Sequence, residues 1–367
     1  MNVGKVFLIA AAAIGLACAA AVAVIVIAKF RRGLVAVRSR AMLAPYRRAL
    51  VEMASGEDDD GLAKAELSAV PARVWARLRP SVVAFLPKVR GFPADDLGEL
   101  MRVHGELDAA VALLTSRSAV RRARAAYLFG LVRDPEGVAL LLPLLSDPAA
   151  DVRLVATRAL GNIGDPSAAN GVLGALRTVR GQIGLPAWVA AEALLSMGVE
   201  IAPALQAGLA SQDPAVRNVC AVVAGHGTYL ATAPQLRILL ATDIDVDVRA
   251  SAAVALGRVG GGDDAANLAR YVDASETTVL RRTCTTALGD LGRREGMETL
   301  AVLLGDSDRR VAELAADSLV RIGPEGIARL EETAATTAQG PSAQAAGCAL
   351  ELARLRDQLV AGESGSG

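Results

Sequence analysis

The chain has 367 residues with 39 basic and 39 acidic side chains, so its formal net charge at neutral pH is zero. Because the net charge is zero, the chain cannot bind nucleic acid through a general excess of positive charge, and it is not an acidic tail protein. Hydrophobic residues make up 53% of the chain and aromatic residues only 3%, so the apolar mass is Ala, Leu and Val. Such a composition is typical of closely packed helices and predicts an all-α protein.

Residues 6–28, VFLIAAAAIGLACAAAVAVIVIA, carry no charge. As a helix this stretch would reach about 34 Å, enough to cross a hydrocarbon core of about 30 Å. We therefore predict a transmembrane helix over 6–28, preceded by a short extracytoplasmic segment, residues 1–5. The main alternative is a cleaved signal peptide, whose apolar region would be shorter and would follow its basic residues instead of preceding them.

A basic cluster follows the apolar stretch, and no acidic residue interrupts it between positions 29 and 48. Its members are Lys29, Arg31, Arg32, Arg38, Arg40, Arg47 and Arg48. By the positive-inside rule this side of the span is cytoplasmic, which places the N-terminus outside. Besides setting the topology, the cluster could contact anionic lipid headgroups, and the sequence leaves this second role open.

Three further segments frame the rest of the chain. The acidic stretch ASGEDDDG, residues 54–61, predicts an exposed loop, so that 29–61 form a basic juxtamembrane segment and an acidic linker. Residues 62–110 show helical apolar spacing and predict a helical N-terminal region broken at Pro71, Pro80, Pro87 and Pro93. The last residues, 361–367, are Gly- and Ser-rich and predict a flexible tail.

A repeat occupies residues 111–360. The stretch DPAADVRLVATRALGNIGD, residues 147–165, predicts an amphipathic helix, and related stretches recur on a lattice of about 32 residues. The lattice is marked by the apolar residue before a recurring Arg, at Val120, Val152, Val216, Val248, Leu280 and Val311. A divergent copy, with Pro186 at the apolar position and Ala187 at the Arg position, fills the doubled gap and gives seven predicted second helices.

Shorter apolar runs between these helices predict the first helix of each pair, for example over 137–147, 201–210, 233–241 and 296–306. Gly161, Gly257 and Gly289 follow the apolar stripe of their helices and predict close helix contact. Each pair leaves an apolar face that only its neighbours can cover, so the pairs should stack into a superhelix whose extended concave wall is a binding surface.

Charged residues recur in register with the repeat. The arginines are Arg121, Arg153, Arg217, Arg249 and Arg281, and the aspartates of the preceding turns are Asp147, Asp213 and Asp245. We predict that these groups pair between stacked repeats as a structural ladder; an arginine row facing a ligand is the alternative. The basic stretch 117–124 would either decorate an end repeat or extend the membrane-facing positive charge.

The pattern D-P-x-x-x-V-R-x-x-A-x-x-A-L-G is similar to the HEAT repeat, in the short bacterial form of phycobilisome lyase-like proteins. This resemblance implies an α-solenoid. The layout of one span, a basic stretch and these helices also resembles single-pass membrane-anchored HEAT-repeat proteins of actinobacteria. That second resemblance implies a membrane-bound scaffold whose partner is a protein, such as a membrane glycosyltransferase or a cell-envelope assembly.

HEAT arrays also include enzymes, and we expect none of their chemistry here. Deoxyhypusine hydroxylase holds its iron on four His-Glu pairs, whereas this chain has only His104 and His226, neither followed by Glu. No zinc spacing and no phosphate loop is present, so we expect no cofactor and no metal. Pigment attachment, as in the lyase-like members, and an exported binding protein stay as alternative functions.

Single residues with reactive or aromatic side chains have structural roles in this interpretation. The cysteines, at 18, 220, 284 and 348, are far apart, so we expect reduced thiols, with Cys220 and Cys284 buried in equivalent repeat positions. We expect His226 to be solvated near a helix end, and Trp75 and Trp188 to be core or groove contacts. The glycines at 260–262 predict an inter-repeat turn before a helix.

Overall fold

The computed structural model describes residues 42–177, 184–336 and 340–364, together with 22, 23, 26 and 29. All regular structure in these ranges is helical. The predicted transmembrane helix, most of residues 6–28, lies outside the described residues, as do Arg31, Arg32, Arg38 and Arg40. Of the basic cluster, Lys29, Arg47 and Arg48 are described, and all three are exposed.

Within the described part, no individual helix has both the length and the apolar composition needed to cross a membrane. One bent pair, Ala187–Ser196 with Val199–Leu209, meets these two criteria together, at an angle of 118°.

The chain divides into two compact units, Met1–Ala112 and Leu113–Gly367. The division lies close to position 110, where the sequence predicts that the repeats begin. The first unit contains α1 (residues 42–55), α2 (Leu62–Ser68), α3 (Ala72–Phe85) and α4 (Phe92–Val103), and the division falls within α5 (Glu106–Leu114). Its core holds Leu50, Met53, Leu67, Leu78 and Leu97, all nearly or fully buried.

Residues 56–61 of the acidic stretch form a mostly exposed turn between α1 and α2, in agreement with the predicted exposed loop, whereas residues 54 and 55 still belong to α1. The Asp58 carboxylate accepts hydrogen bonds from the amides of Ala63 and Lys64, both at 2.9 Å, and so satisfies free donors at the start of α2. Gly56 and Gly61 adopt positive φ angles of 78° and 70°, which glycine accepts without a steric penalty.

The four prolines of this region occupy helix boundaries with one exception. Pro71 is the N-cap of α3, Pro87 lies in the first turn of a short 3₁₀-helix, and Pro93 lies in the first turn of α4. In these positions a missing amide hydrogen costs nothing. Pro80, in contrast, lies inside α3 without ending it, so a break predicted there is absent.

The second unit is a stack of helix pairs headed by α6 (Ala119–Val132), as the repeat predicts. The pairs are α7 (Gly137–Leu141) with α8 (Ala150–Ile163), α9 (Ala169–Gly174) with α10 (Ala187–Ser196), α11 (Ala202–Leu209) with α12 (Pro214–His226), α13 (Ala233–Thr242) with α14 (Val246–Val259), α15 (Asp263–Ala269) with α16 (Thr278–Leu291), α17 (Arg294–Leu303) with α18 (Arg309–Ile322), and α19 (Pro324–Thr336) with α20 (Pro341–Ser364). The even-numbered helices from α6 to α18 are the seven predicted second helices.

Each second helix contacts the second helix of the next repeat, and first helices cover the other side. The apolar positions of the lattice face this interior: Val152, Val248, Leu280 and Val311 are at most 1% exposed. Because each repeat buries its apolar stripe only against its neighbours, the stack forms a solenoid-like arrangement in place of a single closed core. At its C-terminal end α20 continues to Ser364, so the predicted tail begins within a helix.

Close contact between second helices depends on glycine, as predicted for three positions. A Cβ atom built on Gly161 would lie 2.7 Å from the Cα atom of Ala193, and one built on Gly257 would lie 2.9 Å from that of Ala287. Gly289 meets Ser318 in the same way. Any larger side chain at these positions must push two adjacent repeats apart.

The divergent copy α10 departs from this pattern at both ends. Its helix begins only after Pro186, which is the N-cap. In the other copies the residue at the equivalent position already lies inside the first helical turn. Leu195 occupies the register of Gly161 and Gly257. The helix still belongs to the stack because its apolar stripe is retained, with Ala190 and Leu194 fully buried.

Candidate binding surface

Arginines of the second helices link each repeat to the next through a carboxylate. Arg217 of α12 donates from Nε and Nη2 to the two carboxylate oxygens of Asp243, at 2.6 and 2.8 Å. Arg122 and Arg249 also make bidentate contacts with their carboxylates, whereas Arg281 donates to Asp306 through Nη2 alone. We call the series the arginine ladder: Arg122 with Asp147, Arg217 with Asp243, Arg249 with Glu276, and Arg281 with Asp306.

The same guanidinium groups also hold the turns of their own repeats. Arg122 and Arg217 donate from Nη1 to the backbone carbonyls of Ser116 and Ser211, at 2.7 and 2.9 Å. Arg249 and Arg281 donate from Nε to carbonyls nine residues earlier in the chain. Each ladder arginine therefore satisfies carbonyls of one turn and the carboxylate of the next, so it fixes the spacing of two repeats at once.

The electrostatics of the ladder agree with this geometry. Burial alone would raise the pKa of Asp243, but hydrogen bonds from Arg217 and from the Asp245 amide outweigh burial, and the pKa lies below its usual value. The pKa of Asp147 is lowered in the same way, against burial, by Arg122 and the Ala149 amide. Both carboxylates are therefore ionised at neutral pH, as ion pairs in a nearly buried position require.

Two predicted ladder aspartates have a different role, which corrects the predicted pairing. Asp213 accepts a hydrogen bond from the Ala215 amide at 2.9 Å, and Asp245 accepts one from the Asp247 amide at the same distance. Both are N-caps of their helices. Asp213 also has a distant ion pair, at 4.0 Å, with Arg177.

The error comes from two aspartate registers within one turn. Measured from the apolar lattice residue, Asp213 and Asp245 stand three positions earlier, whereas Asp147 stands five positions earlier. The ladder uses the second register, which is occupied by Asp147, Asp243 and Asp306. In the turn before α12 this register is occupied by Ser211, and the helix that would supply the ladder arginine, α10, has Ala187 at that position.

The first copy of the repeat is also shifted by one residue from the predicted lattice. Val120 is 76% exposed, in contrast to the other lattice residues. Gly130 meets Ala159 as Gly161 meets Ala193, so α6 aligns with α8 at a spacing of 31 residues. Consequently Arg122 forms the ladder contact with Asp147, and Arg121, predicted for this role, lies exposed on the surface.

The remaining predicted arginines lie at the expected places. Arg249 and Arg281 form ladder contacts, and Arg281 is itself buried. Arg153 is buried and donates to the backbone carbonyl of Asp147 at 2.8 Å. Its position in α8 matches that of Arg217 in α12.

A second charged link joins two first helices, and no repeating pattern in the sequence predicts it. Arg237 of α13 donates to both carboxylate oxygens of Asp264 in α15, at 2.6 and 2.8 Å. The Asp264 side chain is fully buried and also accepts a hydrogen bond from the Gly261 amide. The glycines at 260–262 thus form the predicted inter-repeat turn before α15, and the turn closes on a buried carboxylate.

The outer, solvent-exposed face of the second helices carries side chains that do not hold the repeats together. Trp188 of α10 is 60% exposed, and the Arg158 guanidinium of α8 lies 5.3 Å from the centre of its ring. Tyr127 of α6 is 47% exposed. Arg121, Arg124 and Arg158 are exposed and contact no carboxylate within the described ranges. We call the set Arg121, Arg124, Tyr127, Arg158 and Trp188 the arginine–aromatic surface.

The first unit holds the other tryptophan in its core. Trp75 is 4% exposed and stacks on His104 with 3.8 Å between ring centres. The Trp75 indole donates to Glu106 at 2.8 Å, and Arg79 donates to the other Glu106 oxygen at 3.0 Å. Since these groups satisfy one another, the cluster is a structural contact, as expected for Trp75.

Cysteine and histidine side chains occupy structural positions. Cys220 and Cys284 are fully buried, as predicted, and burial raises the pKa of each thiol to about 12. Cys348 is exposed, and Cys18 lies outside the described residues. His226 is exposed at the last position of α12, in agreement with the prediction. No three His, Cys, Asp or Glu side chains in the described part converge to hold a metal ion.

Comparison with known proteins supports the repeat. A family model described as HEAT repeats matches residues 107–183. Among solved structures, a Kap121p mutant is 11% identical over 82% of this chain and 39% of that chain, with a TM-score of 0.50. This likeness shows the fold. Among curated proteins none matches the sequence.

Two other solved structures have lower scores. YibA of E. coli is 17% identical over 74% of this chain and 96% of that chain, with a TM-score of 0.40. The complex of CpcE and CpcF of phycocyanin lyase from Nostoc is 20% identical over 63% of this chain and 92% of that chain, with a TM-score of 0.28.

Proposed function

We propose that this chain, a HEAT-repeat protein, is a non-enzymatic scaffold that residues 6–28 anchor in the cell membrane and whose repeats bind a protein partner on the cytoplasmic side. The observation that carries the proposal is the outer face of the second helices. It spans several repeats, it is solvent-exposed, and it presents Trp188, Tyr127 and unpaired arginines that no structural contact requires.

The roles of the reactive side chains support a binding role over catalysis. Cys220 and Cys284 are core residues with raised pKa values, so their thiols are poor nucleophiles at neutral pH. The ionised carboxylates Asp147, Asp243 and Asp264 are engaged by arginines that hold repeats together. Stacked repeats of this kind generally supply extended surfaces for macromolecules.

The membrane anchor in this proposal is supported by the sequence of residues 6–28 and by the basic residues that follow them. The partner class is supported by the resemblance to membrane-anchored HEAT-repeat proteins, which favours an integral or membrane-associated partner such as a glycosyltransferase or a cell-envelope assembly.

Affinity purification from detergent-solubilised membranes tests the scaffold. The tagged full-length chain should retain a partner in a defined stoichiometry, and the partner should be depleted when residues 1–28 are deleted, because the repeats are then no longer concentrated at the membrane surface. Two reporters are fused in turn after residue 367. The one that works only in the cytoplasm should be active, and the one that works only outside should be inactive. Absence of any stoichiometric partner from both purifications would refute the scaffold, and a reporter active only outside would refute the orientation.

A further inference from the structure

We propose that the arginine–aromatic surface binds a short extended segment of the partner in which carboxylates about three positions apart are separated by apolar side chains. This inference rests on the proposed function and adds to it a location and a recognition chemistry.

The residues of this surface lie side by side on three neighbouring helices. On α6, Val120, Arg124 and Tyr127 are spaced by four and three positions, so they share one face of the helix. α6 contacts α8, and α8 contacts α10, through their buried stripes. The contact between Arg158 and Trp188 joins the exposed faces of α8 and α10 directly. The surface is therefore continuous across these helices.

The charge of the surface is not balanced from within the stack. Residues 113–163 contain seven arginines and four acidic residues. Arg121, Arg124 and Arg158 contact no described carboxylate, whereas the exposed faces of α16 and α18 carry paired charges. Those pairs are Arg282 with Asp308, Arg310 with Glu313, and Arg321 with Asp290. An unpaired guanidinium presents a planar fork that matches a carboxylate.

Exposed apolar side chains accompany these arginines. Trp188, which contacts Arg158, is 60% exposed, and Val120 and Tyr127 are 76% and 47% exposed on the face of α6 that carries Arg124. Trp, Tyr and Arg are the residue types that dominate binding energy in protein interfaces. The stacking of Arg158 on Trp188 orders both side chains before binding, which lowers the entropic cost of forming an interface.

The acidic residues on the same face favour a peptide over a polyanion. Asp151 of α8 and Glu192 of α10 are exposed beside Arg158 and Trp188 in the same helices. They would repel the closely spaced phosphates of a nucleic acid or of an anionic membrane, whose binding depends on many simultaneous phosphate contacts. A peptide can place a few carboxylates opposite the arginines and avoid the acids.

Helix spacing sets the size of the segment. Neighbouring packed helices have axes about 8–10 Å apart, and an extended chain advances about 3.3 Å per residue. A segment that crosses three helices therefore needs about six or seven residues, and carboxylates about three positions apart match arginines on adjacent helices.

Fluorescence anisotropy with the detergent-purified full-length chain tests this inference. The probe is a fluorescein-labelled 12-residue peptide with Glu at every third position and Leu, Phe or Ser between. A control peptide carries Gln in place of Glu. We expect the Glu peptide to bind and the Gln peptide to bind at least tenfold more weakly.

Variants localise the site. The double variant Arg124→Glu with Arg158→Glu, and separately Trp188→Ala, should each weaken binding of the Glu peptide about tenfold or more. The control is Arg258→Glu, an exposed arginine on the outer face of α14, which should leave binding unchanged. All substituted residues are exposed, so thermal unfolding should remain within a few degrees of the parent protein. Absence of binding by the Glu peptide, or an equal loss in Arg258→Glu, would overturn the inference.

Two further arms separate this inference from its rivals and from the proposed function. A 20-nucleotide oligothymidine and phosphatidylglycerol vesicles should bind more weakly than the Glu peptide; tighter binding that depends on Arg124 and Arg158 would assign the surface to a polyanion instead.

If the double variant still retains the stoichiometric partner from membranes, the surface is wrong and the scaffold stands. If the parent protein retains no partner, the scaffold itself fails.

Discussion

The regular repeats around α12, α14 and α16 and the divergent repeat around α10 use the same apolar stripe but different polar chemistry. In the regular repeats an arginine at the fourth helical position joins the ladder, and an aspartate or threonine caps the helix. In the divergent repeat the helix begins after Pro186, Ala187 replaces the arginine, and Leu195 replaces the close-packing glycine. Both kinds of helix are nevertheless buried in the stack.

This difference shows that apolar burial is sufficient to keep a repeat in register, while the ladder arginine is an additional constraint that is absent from α10, with Ala187, and from α18, with Ala312. Of these two repeats, the one around α10 also exposes Trp188. Departures from a regular local pattern often mark functional positions. The comparison therefore connects the irregular repeat to the proposed binding surface.

The largest effect should come from the glycine contact. Gly161→Leu forces a side chain into the space occupied by Ala193 and should destabilise the protein by about 3 kcal/mol. Leu195→Gly, the reverse change in the same register of the divergent repeat, should cost only about 1 kcal/mol, because Leu195 is 37% exposed. Chemical denaturation measures both. Equal losses would show that the two repeats pack alike.

The ladder should give the next largest effect. Asp243→Ala leaves Arg217 without its carboxylate in a nearly buried position and should cost about 2–3 kcal/mol. Ser211 takes the same register in the turn before α12, where the preceding second helix, α10, has Ala187 instead of an arginine. Ser211→Ala removes a weak turn contact with the Asp213 amide at 3.2 Å and a long one with Arg177 at 3.5 Å, and should cost about 0.5 kcal/mol. A loss at Ser211 as large as that at Asp243 would contradict the assignment of the ladder.

The ladder also predicts a pH dependence with a definite sign. The folded-state pKa of Asp243 is lowered from 3.8, so its contribution to stability is present above about pH 4 and is lost as the pH falls through the folded value. Asp243→Asn should therefore lose less stability than the parent protein between pH 5 and about pH 3. Urea unfolding at a series of pH values measures this, and parallel curves for the two proteins would exclude the contribution.

Thiol reactivity gives the smallest change and a direct check on burial. Cys284 of α16 and Cys220 of α12 should resist alkylation at pH 8, because burial raises their pKa to about 12 and keeps the thiols protonated. Cys348 is exposed and should react quickly under the same conditions. Mass spectrometry of the labelled peptides distinguishes the sites. Rapid labelling of Cys220 in the folded protein would mean that its repeat opens.

The fold follows from the sequence because a fixed period with an apolar stripe leaves few alternatives. The seven second helices, the inter-repeat turn at 260–262 and the close contacts at Gly161, Gly257 and Gly289 all follow from local spacing. The capping role of Asp58 in the turn at 56–61 did not, since an acidic glycine-flanked stretch is equally consistent with a linker and with a helix cap. Only the position of Asp58 relative to α2 distinguishes them.

The charged contacts were harder to predict because two aspartate registers alternate within one turn. A cap and a ladder acid are the same residue type two positions apart, and only side-chain direction separates Asp243 from Asp245. The one-residue shift of α6 was missed for a similar reason. Arg121 and Arg122 are adjacent in the chain, and either one could occupy the arginine position of the repeat. Neither the late start of α10 after Pro186 nor the exposure of Trp188 follows from the periodicity.

Site-specific photo-cross-linking in the native cells tests the scaffold most directly. A photoreactive phenylalanine analogue in place of Trp188, in the full-length chain, should yield one discrete cross-linked partner. The same analogue at Ile238, which is 61% exposed on the first helix α13, should yield none. A partner trapped equally at both positions, or at neither, would contradict the account.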